Sequence, residues 1–193
     1  MKNTFSKGFT LVELLIVITI LAALAAAVVV VLNPAELLAQ ARDAQRLADM
    51  TTLRDSVLLI LSQLPATNLC VVTTTCSTGH CTPITAPATQ PFATTCTLNG
   101  IRTTTGTTGW MGIDFSLMPG GSPIAVLPVD PVNNATHFYG FRADAARTFR
   151  LVTRLESIRH RPMMMHDGGP RPCPTGAEPT CFYEIGTNML ATF

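Results

Sequence analysis

Glu13 is the residue whose position most demands a chemical explanation. It is the one charged side chain in the run 9–32, FTLVELLIVITILAALAAAVVVVL, where only Thr10 and Thr19 are otherwise polar. A carboxylate at the centre of a bilayer costs on the order of 3 kcal/mol, and somewhat less near its edge. An acid kept there is a functional expectation in itself, provided that a cationic partner can be named. The cysteines are the second set: Cys70, Cys76, Cys81, Cys96, Cys173 and Cys181 all follow the apolar run. An even number of thiols beyond a membrane segment points to disulfides in an oxidising compartment, and spacing alone does not choose their pairing.

Other clusters offer weaker chemistry. Cys76, His80 and Cys81 are close in sequence, but structural zinc uses paired Cys-x2-Cys or His-x3-His spacings that are absent here, so disulfides are the expected fate of these thiols. Met163-Met164-Met165-His166 has soft ligands of the kind that suit copper. Consecutive side chains on an irregular segment rarely converge, so these methionines are read as loop or packing residues. The sequence has no Gly-rich phosphate loop, nucleophile elbow or His-Glu-x-x-His pattern. His80, His137, His160 and His166 are scattered. No catalytic or metal-binding set is expected, and the chain reads as a non-enzyme.

The elements that must position Glu13 and the cysteines follow from hydropathy. Residues 9–32 would form a helix roughly 36 Å long at 1.5 Å per residue, enough to span a bilayer with some tilt. Lys2 and Lys7 precede it with no acid beside them, which keeps the extreme N-terminus cytoplasmic and sends the remainder across. Small residues at 22–27 would suit a conventional signal-peptide cut. Glu13 argues against that, because a segment inserted only to be discarded gains nothing from a carboxylate. Net charge is +1 and charged residues are 13% of the chain, so no overall field favours nucleic acid or acidic surfaces.

The string Lys7-Gly8-Phe9-Thr10-Leu11-Val12-Glu13-Leu14-Leu15 resembles the prepilin signature shared by type IV pilins and type II secretion pseudopilins. The resemblance implies a cut after Gly8 by prepilin peptidase and methylation of the new amine on Phe9. It also implies extraction by an inner-membrane assembly platform into a filament of like subunits. The exposed amine would be largely protonated at neutral pH. Glu13 of one subunit can then meet the amine of a neighbour, and an axial mismatch would leave both charges unpaired, so the pair acts as a register lock. The plainer alternative is a signal anchor whose Glu13 reaches the headgroups. Some major pseudopilins bind calcium, which directs attention to Asp114 and Asp130; without a clustered run of oxygen ligands no cofactor is expected. Some minor pilins take part in DNA uptake, and seven arginines lie between Arg142 and Arg171. With little aromatic interleaving they read as a solvated surface, and nucleic acid is not an expected partner.

Asn33-Pro34 interrupts the apolar run and predicts a kink or short melted stretch. Beyond it, Leu37, Ala41, Ala44, Ala48, Leu53, Val57, Ile60, Leu61 and Leu64 predict one apolar helix face, with Arg42, Asp43, Arg46, Asp49, Arg54 and Asp55 on the wetter side. Five segments result: a leader (1–8), a membrane and filament-core half of the helix (9–32), an amphipathic half (33–64), a Thr- and Cys-rich connection (65–109), and a sheet domain (110–193). In the last, 110–115 and 124–129 are strand candidates about a Pro-Gly-Gly turn. Residues 137–142 and 148–155 predict a hairpin, and 182–185 a final strand. Alternation of Phe149, Leu151 and Leu155 with Arg150 and Arg154 predicts a sheet buried on one side only. The segment 127–133 is similar to the Asp-Pro turn of pseudopilin-type domains. Cys173 and Cys181 suit a local disulfide, though each could pair upstream. The expected fold is α+β and pilin-like: a long kinked N-terminal helix on a small antiparallel sheet.

The expected function is structural, as a subunit of a type IV pilus-like filament. The protein is expected to be single-pass in membrane lipid, with its C-terminal domain outside the cytoplasmic membrane. A type II secretion pseudopilin is the nearest rival reading. A signal-anchored binding protein or enzyme that never polymerises is the distant one.

Overall fold

A computed structural model of the chain describes residues 8–64, 69, 79–92, 95–167 and 181–187, and it separates into two compact units, Met1–Leu38 and Ala39–Phe193. In the first unit, α1 runs from Leu11 to Leu32. Asn33 stops it in the left-handed region at φ 40°, which Asn tolerates better than most residues. Pro34 cannot extend α1 but suits the first position of a new helix, whose α2 spans Pro34–Gln63. The carbonyl of Asn33 accepts from the N–H groups of Glu36 and Leu37 at 3.0 and 3.3 Å. The interruption expected at Asn33-Pro34 is therefore a full break between two helices.

Within the second unit, α2 buries Ala39, Asp43, Arg46, Met50, Leu53, Val57 and Ile60. These positions advance by alternating steps of four and three, so they form one stripe along the helix. The sequence expectation was right for its second half and wrong for its first. Ala41, Ala44 and Ala48 are exposed, whereas Asp43 and Arg46 face inward. Charge had been assigned outward, but here the charged residues have partners inside the domain.

Five strands form one sheet in the order β2-β1-β3-β4-β5: β1 Gly79–Cys81, β2 Cys96–Leu98, β3 Gly140–Ala143, β4 Phe149–Thr153 and β5 Tyr183–Gly186. The predicted hairpin is β3 and β4, paired antiparallel with Phe141 opposite Leu151 and Ala143 opposite Phe149. The predicted final strand is β5, antiparallel to β4. The Thr- and Cys-rich connection supplies β1 and β2, which pair with each other in parallel, so the sheet is mixed. Architecture is α+β as expected.

Residues 110–115 and 124–129 are not strands. They are irregular, with isolated bonds from Trp110 N–H to the Ile101 carbonyl and from Leu127 N–H to the Arg102 carbonyl, each 2.8 Å. A turn at Gly109–Gly112, where Gly112 has φ 63°, ends any extended run. Their apolar residues instead fill the core beneath α2. There Trp110, Met111, Ile113, Phe115 and Leu127 join Met50, Leu53, Val57, Ile60, Phe141, Phe149 and Leu151.

The opposite face of the sheet is also covered, which corrects the one-sided expectation. Phe92, Phe138, Val152 and Phe182 form a second core there with Cys81 and Cys96. All five residues of β4 are buried, Arg150 among them, and so is Arg154 just beyond. Arg150 donates to Glu184 at 3.2 Å and lies over the Phe92 ring, while Arg154 lies over Phe182. An aromatic layer thus shelters arginines that alternation alone had placed in water.

Candidate functional site

At the start of α1, Gly8 and Phe9 precede the helix, and Phe9 is 85% exposed. Among the described residues, nothing lies within 4 Å of a Cβ built on Gly8. Thr10 is the N-cap. Its hydroxyl accepts from Glu13 N–H at 3.2 Å, and the Glu13 carboxylate accepts from Thr10 N–H at 2.9 Å and from the Thr10 hydroxyl at 2.8 Å. This reciprocal capping box satisfies helix-terminal donors that would otherwise be orphaned. The acid is thereby held one turn from the Gly8–Phe9 bond. Thr-x-x-Glu at the head of an apolar run is the local sequence signal for this capping box.

Downstream, Leu11–Val29 is long and apolar enough to cross a membrane, with a mean hydropathy of 2.8, and none of that window is buried. Leaving so many Leu, Ile and Val side chains in water would be very unfavourable at ~25 cal/mol per Å². The helix therefore requires lipid or other apolar helices around it, which is compatible with a single-pass anchor.

Further along, α2 is joined to the sheet domain by a buried ionic cluster. The guanidinium of Arg46 has no accessible surface. Its Nε and Nη2 donate to the two carboxylate oxygens of Asp130 at 2.7 and 3.1 Å. Its Nη1 donates to Asp43 at 2.8 Å and Glu156 at 2.7 Å. Glu156 also receives two bonds from Arg42, at 2.6 and 2.9 Å. Asp43 accepts from the N–H groups of Glu156 and Ser157, and Asp130 from those of Val132 and Asn133. Burial would raise the pKa of Glu156, but hydrogen bonds from Arg42 and Arg46 outweigh it and bring the carboxyl down to about 2. For Asp49, burial dominates and raises the pKa, partly countered by the Tyr139 hydroxyl, which donates to it at 2.7 Å.

The cluster accounts for several candidates. Asp130 is the acid of the Asp-Pro turn, and both its oxygens accept from Arg46. Asp114 instead caps a short 3-10 helix, Phe115–Leu117, accepting from Ser116. Cys81 is bonded to Cys96, which removes it as a thiolate ligand, and Cys181 is also oxidised. Cys70, Cys76 and Cys173 lie outside the described residues. In the 3-10 helix Arg161–Met165, Met164 is buried while Met163 and Met165 are exposed, so the three sulfurs do not face one centre. Among the described residues no three His, Cys, Asp or Glu side chains are grouped to hold a metal ion.

The family model described as the prokaryotic N-terminal methylation motif matches residues 4–29. No curated protein and no solved structure matches the chain. The matched stretch includes Gly8, Phe9, the Thr10–Glu13 box and most of α1. The chain thus carries the prepilin motif of type IV pilins and pseudopilins, and with it a pilin-like α+β fold. That motif implies processing by prepilin peptidase and assembly with like subunits.

Proposed function

We propose that this protein is a structural subunit of a type IV pilus-like filament, with no catalysis or cofactor of its own. The single observation that carries the reading is the Glu13 carboxylate in the first turn of an otherwise apolar, uncovered helix. Prepilin peptidase cuts between Gly8 and Phe9, and the new Phe9 amine is methylated. In the membrane the N-terminus faces the cytoplasm and the sheet domain lies outside. An inner-membrane platform then moves the subunit into a helical array, where α1 packs among copies of itself. Glu13 fixes axial register by meeting the Phe9 amine of a neighbour. A type II secretion pseudopilin is the second reading, supported by the Asp130-Pro131 turn that resembles those of pseudopilin-type domains.

The test is N-terminal sequencing and intact mass of protein extracted from membranes. Wild type should begin at Phe9 with a methylated amine, and Gly8→Ala should retain residues 1–8. A wild-type chain still carrying Met1, or one trimmed at residues 22–27, would overturn the proposal. A second arm uses Glu13→Ala, which should insert into membranes normally and yield at least about tenfold fewer filaments by electron microscopy, as expected when a buried charge loses its mate. Normal filament yield from Glu13→Ala would reject its register role while leaving processing intact.

A further inference from the structure

Asn134-Ala135-Thr136 is the only Asn-x-Ser/Thr tripeptide in the chain. In that pattern the asparagine amide can accept a sugar, provided that it lies on an accessible surface loop of an exported protein. Threonine is abundant in this chain, so the tripeptide by itself says little. Its geometry says more.

The Asn134 Oδ1 accepts from the N–H groups of Thr136 at 2.9 Å and His137 at 2.8 Å. The Asn134 N–H in turn donates to the His137 carbonyl at 2.9 Å, so residues 134–137 form a closed turn ahead of β3. Only the amide oxygen can meet two N–H donors, which fixes the amide and leaves Nδ2 outside that network. Asn134 is exposed, and its Nδ2 has no partner among the described residues. The turn is also held at its base. Val132 and Asn133 donate their N–H groups to Asp130 at 2.8 and 3.1 Å, and Ala88 N–H donates to the Ala135 carbonyl at 2.9 Å.

The other described asparagines of the sheet domain are placed differently. Asn99 donates through Nδ2 to the Thr108 carbonyl at 2.9 Å, and Asn133 through its own to the Thr82 carbonyl at 3.2 Å. A substituent on either nitrogen would crowd a contact that the fold already uses. One on Asn134 Nδ2 leaves both Oδ1 bonds in place.

We propose that Asn134 is a site of N-linked glycosylation, with a lipid-diphosphate-linked sugar as the donor. In the transfer, Asn134 Nδ2 attacks the anomeric carbon, and the new C–N bond forms as the bond from that carbon to the diphosphate oxygen breaks. The lipid diphosphate leaves with the electron pair, and one amide proton passes to a base of the transferase. The step is redox-neutral. A bulky polar glycan there would sit beside Val132, which is 40% exposed. The proposal rests on the reading that the sheet domain lies outside the cytoplasmic membrane.

Peptide-level mass spectrometry of the full-length protein, taken from cells that naturally make it, tests this with fragmentation that keeps sugars attached. The peptide containing Asn134 should carry the mass of one or more sugar residues, located on Asn134. Asn134→Asp keeps an oxygen acceptor for both N–H groups, and so the turn, yet should lose the added mass completely. Thr136→Val should lose it too, whereas Thr136→Ser should retain it, a pattern that folding alone would not produce. A bare Asn134 on chains that begin at Phe9, and whose sheet domain is cut by protease added outside the cytoplasmic membrane, would overturn this proposal alone. Sugar found only on serine or threonine would overturn it as well. A sheet domain that such protease reaches only after the membrane is opened would instead remove the topology, and with it both this proposal and the reading beneath it.

Discussion

A guanidinium without accessible surface must place its N–H groups on acceptors, or the helix that carries it cannot dock. Arg46 meets that condition with Asp43, Asp130 and Glu156. Removing it would strand acids on both sides of the contact. Arg46→Met, which keeps length and apolar stem, should lower domain stability by about 3–5 kcal/mol in urea unfolding. Arg46→Lys should recover only part of the loss, since an ammonium cannot make the paired bonds to Asp130. This site was only half legible in the sequence. Asp43 and Arg46 fall on the seven-residue stripe through Ala39, Met50 and Leu53, so periodicity does contain them. Yet their partners Asp130 and Glu156 are 84 and 110 residues from Arg46, and nothing local announces a buried ion pair. Glu13 was legible for the opposite reason: its surroundings are all in the adjacent chain.

At the scale of elements, the end of α2 shows how helix and hairpin depend on one another. Arg147, at φ 63° in the β3–β4 turn, donates to the carbonyls of Leu61 and Leu64 at 2.9 and 3.0 Å. The last turn of α2 has no basic residue of its own, so the hairpin supplies its cap. Asp144 steadies that turn by accepting from the N–H and hydroxyl of Thr148. On the far side of the sheet, the Cys81–Cys96 bond links β1 to β2 across a separation of 15 residues. Replacing both with serine should cost about 3 kcal/mol, read as a lower thermal midpoint with the α2-side core retained. The hairpin and β5 could be read from alternation because each strand has apolar residues at every second position. β1 and β2 could not, since GHC and CTL are too short to show a period. Residues 110–115 and 124–129 misled for a related reason: apolar spacing reports burial, and a core-filling loop is buried as deeply as a strand.

For the molecule as a whole, acid should weaken the sheet domain through Glu156. Its carboxyl is held near 2 in the fold against an ordinary value of 4.5. A depressed acid contributes stability above its unfolded pKa and loses it as pH falls from about 4.5 toward 2. Because its flank is partly wet, the contribution is on the order of 1–2 kcal/mol. Asp49, raised by burial, runs the other way: it favours the fold while protonated and loses that contribution as pH climbs past its folded value. Glu156→Gln should therefore flatten the fall in thermal midpoint between about pH 5 and pH 3, while lowering the plateau at neutral pH. A variant with an unchanged acid limb would show that the Arg42–Glu156–Arg46 contact is too loose to hold a proton off.

The Arg46 cluster also has a mechanical meaning. If the subunit serves in a fibre under tension, load arriving along α2 must pass into the globular part without the helix sliding on its greasy stripe. Dispersion contacts offer little resistance to slip, because one methyl replaces another a few ångströms on. Ion pairs across the contact do resist, since a shift of one helical step would part Arg46 from Asp130 and Glu156. Arg46 would then work as a rivet, and a fibre built from Arg46→Met subunits should elongate irreversibly at a lower force than the parent.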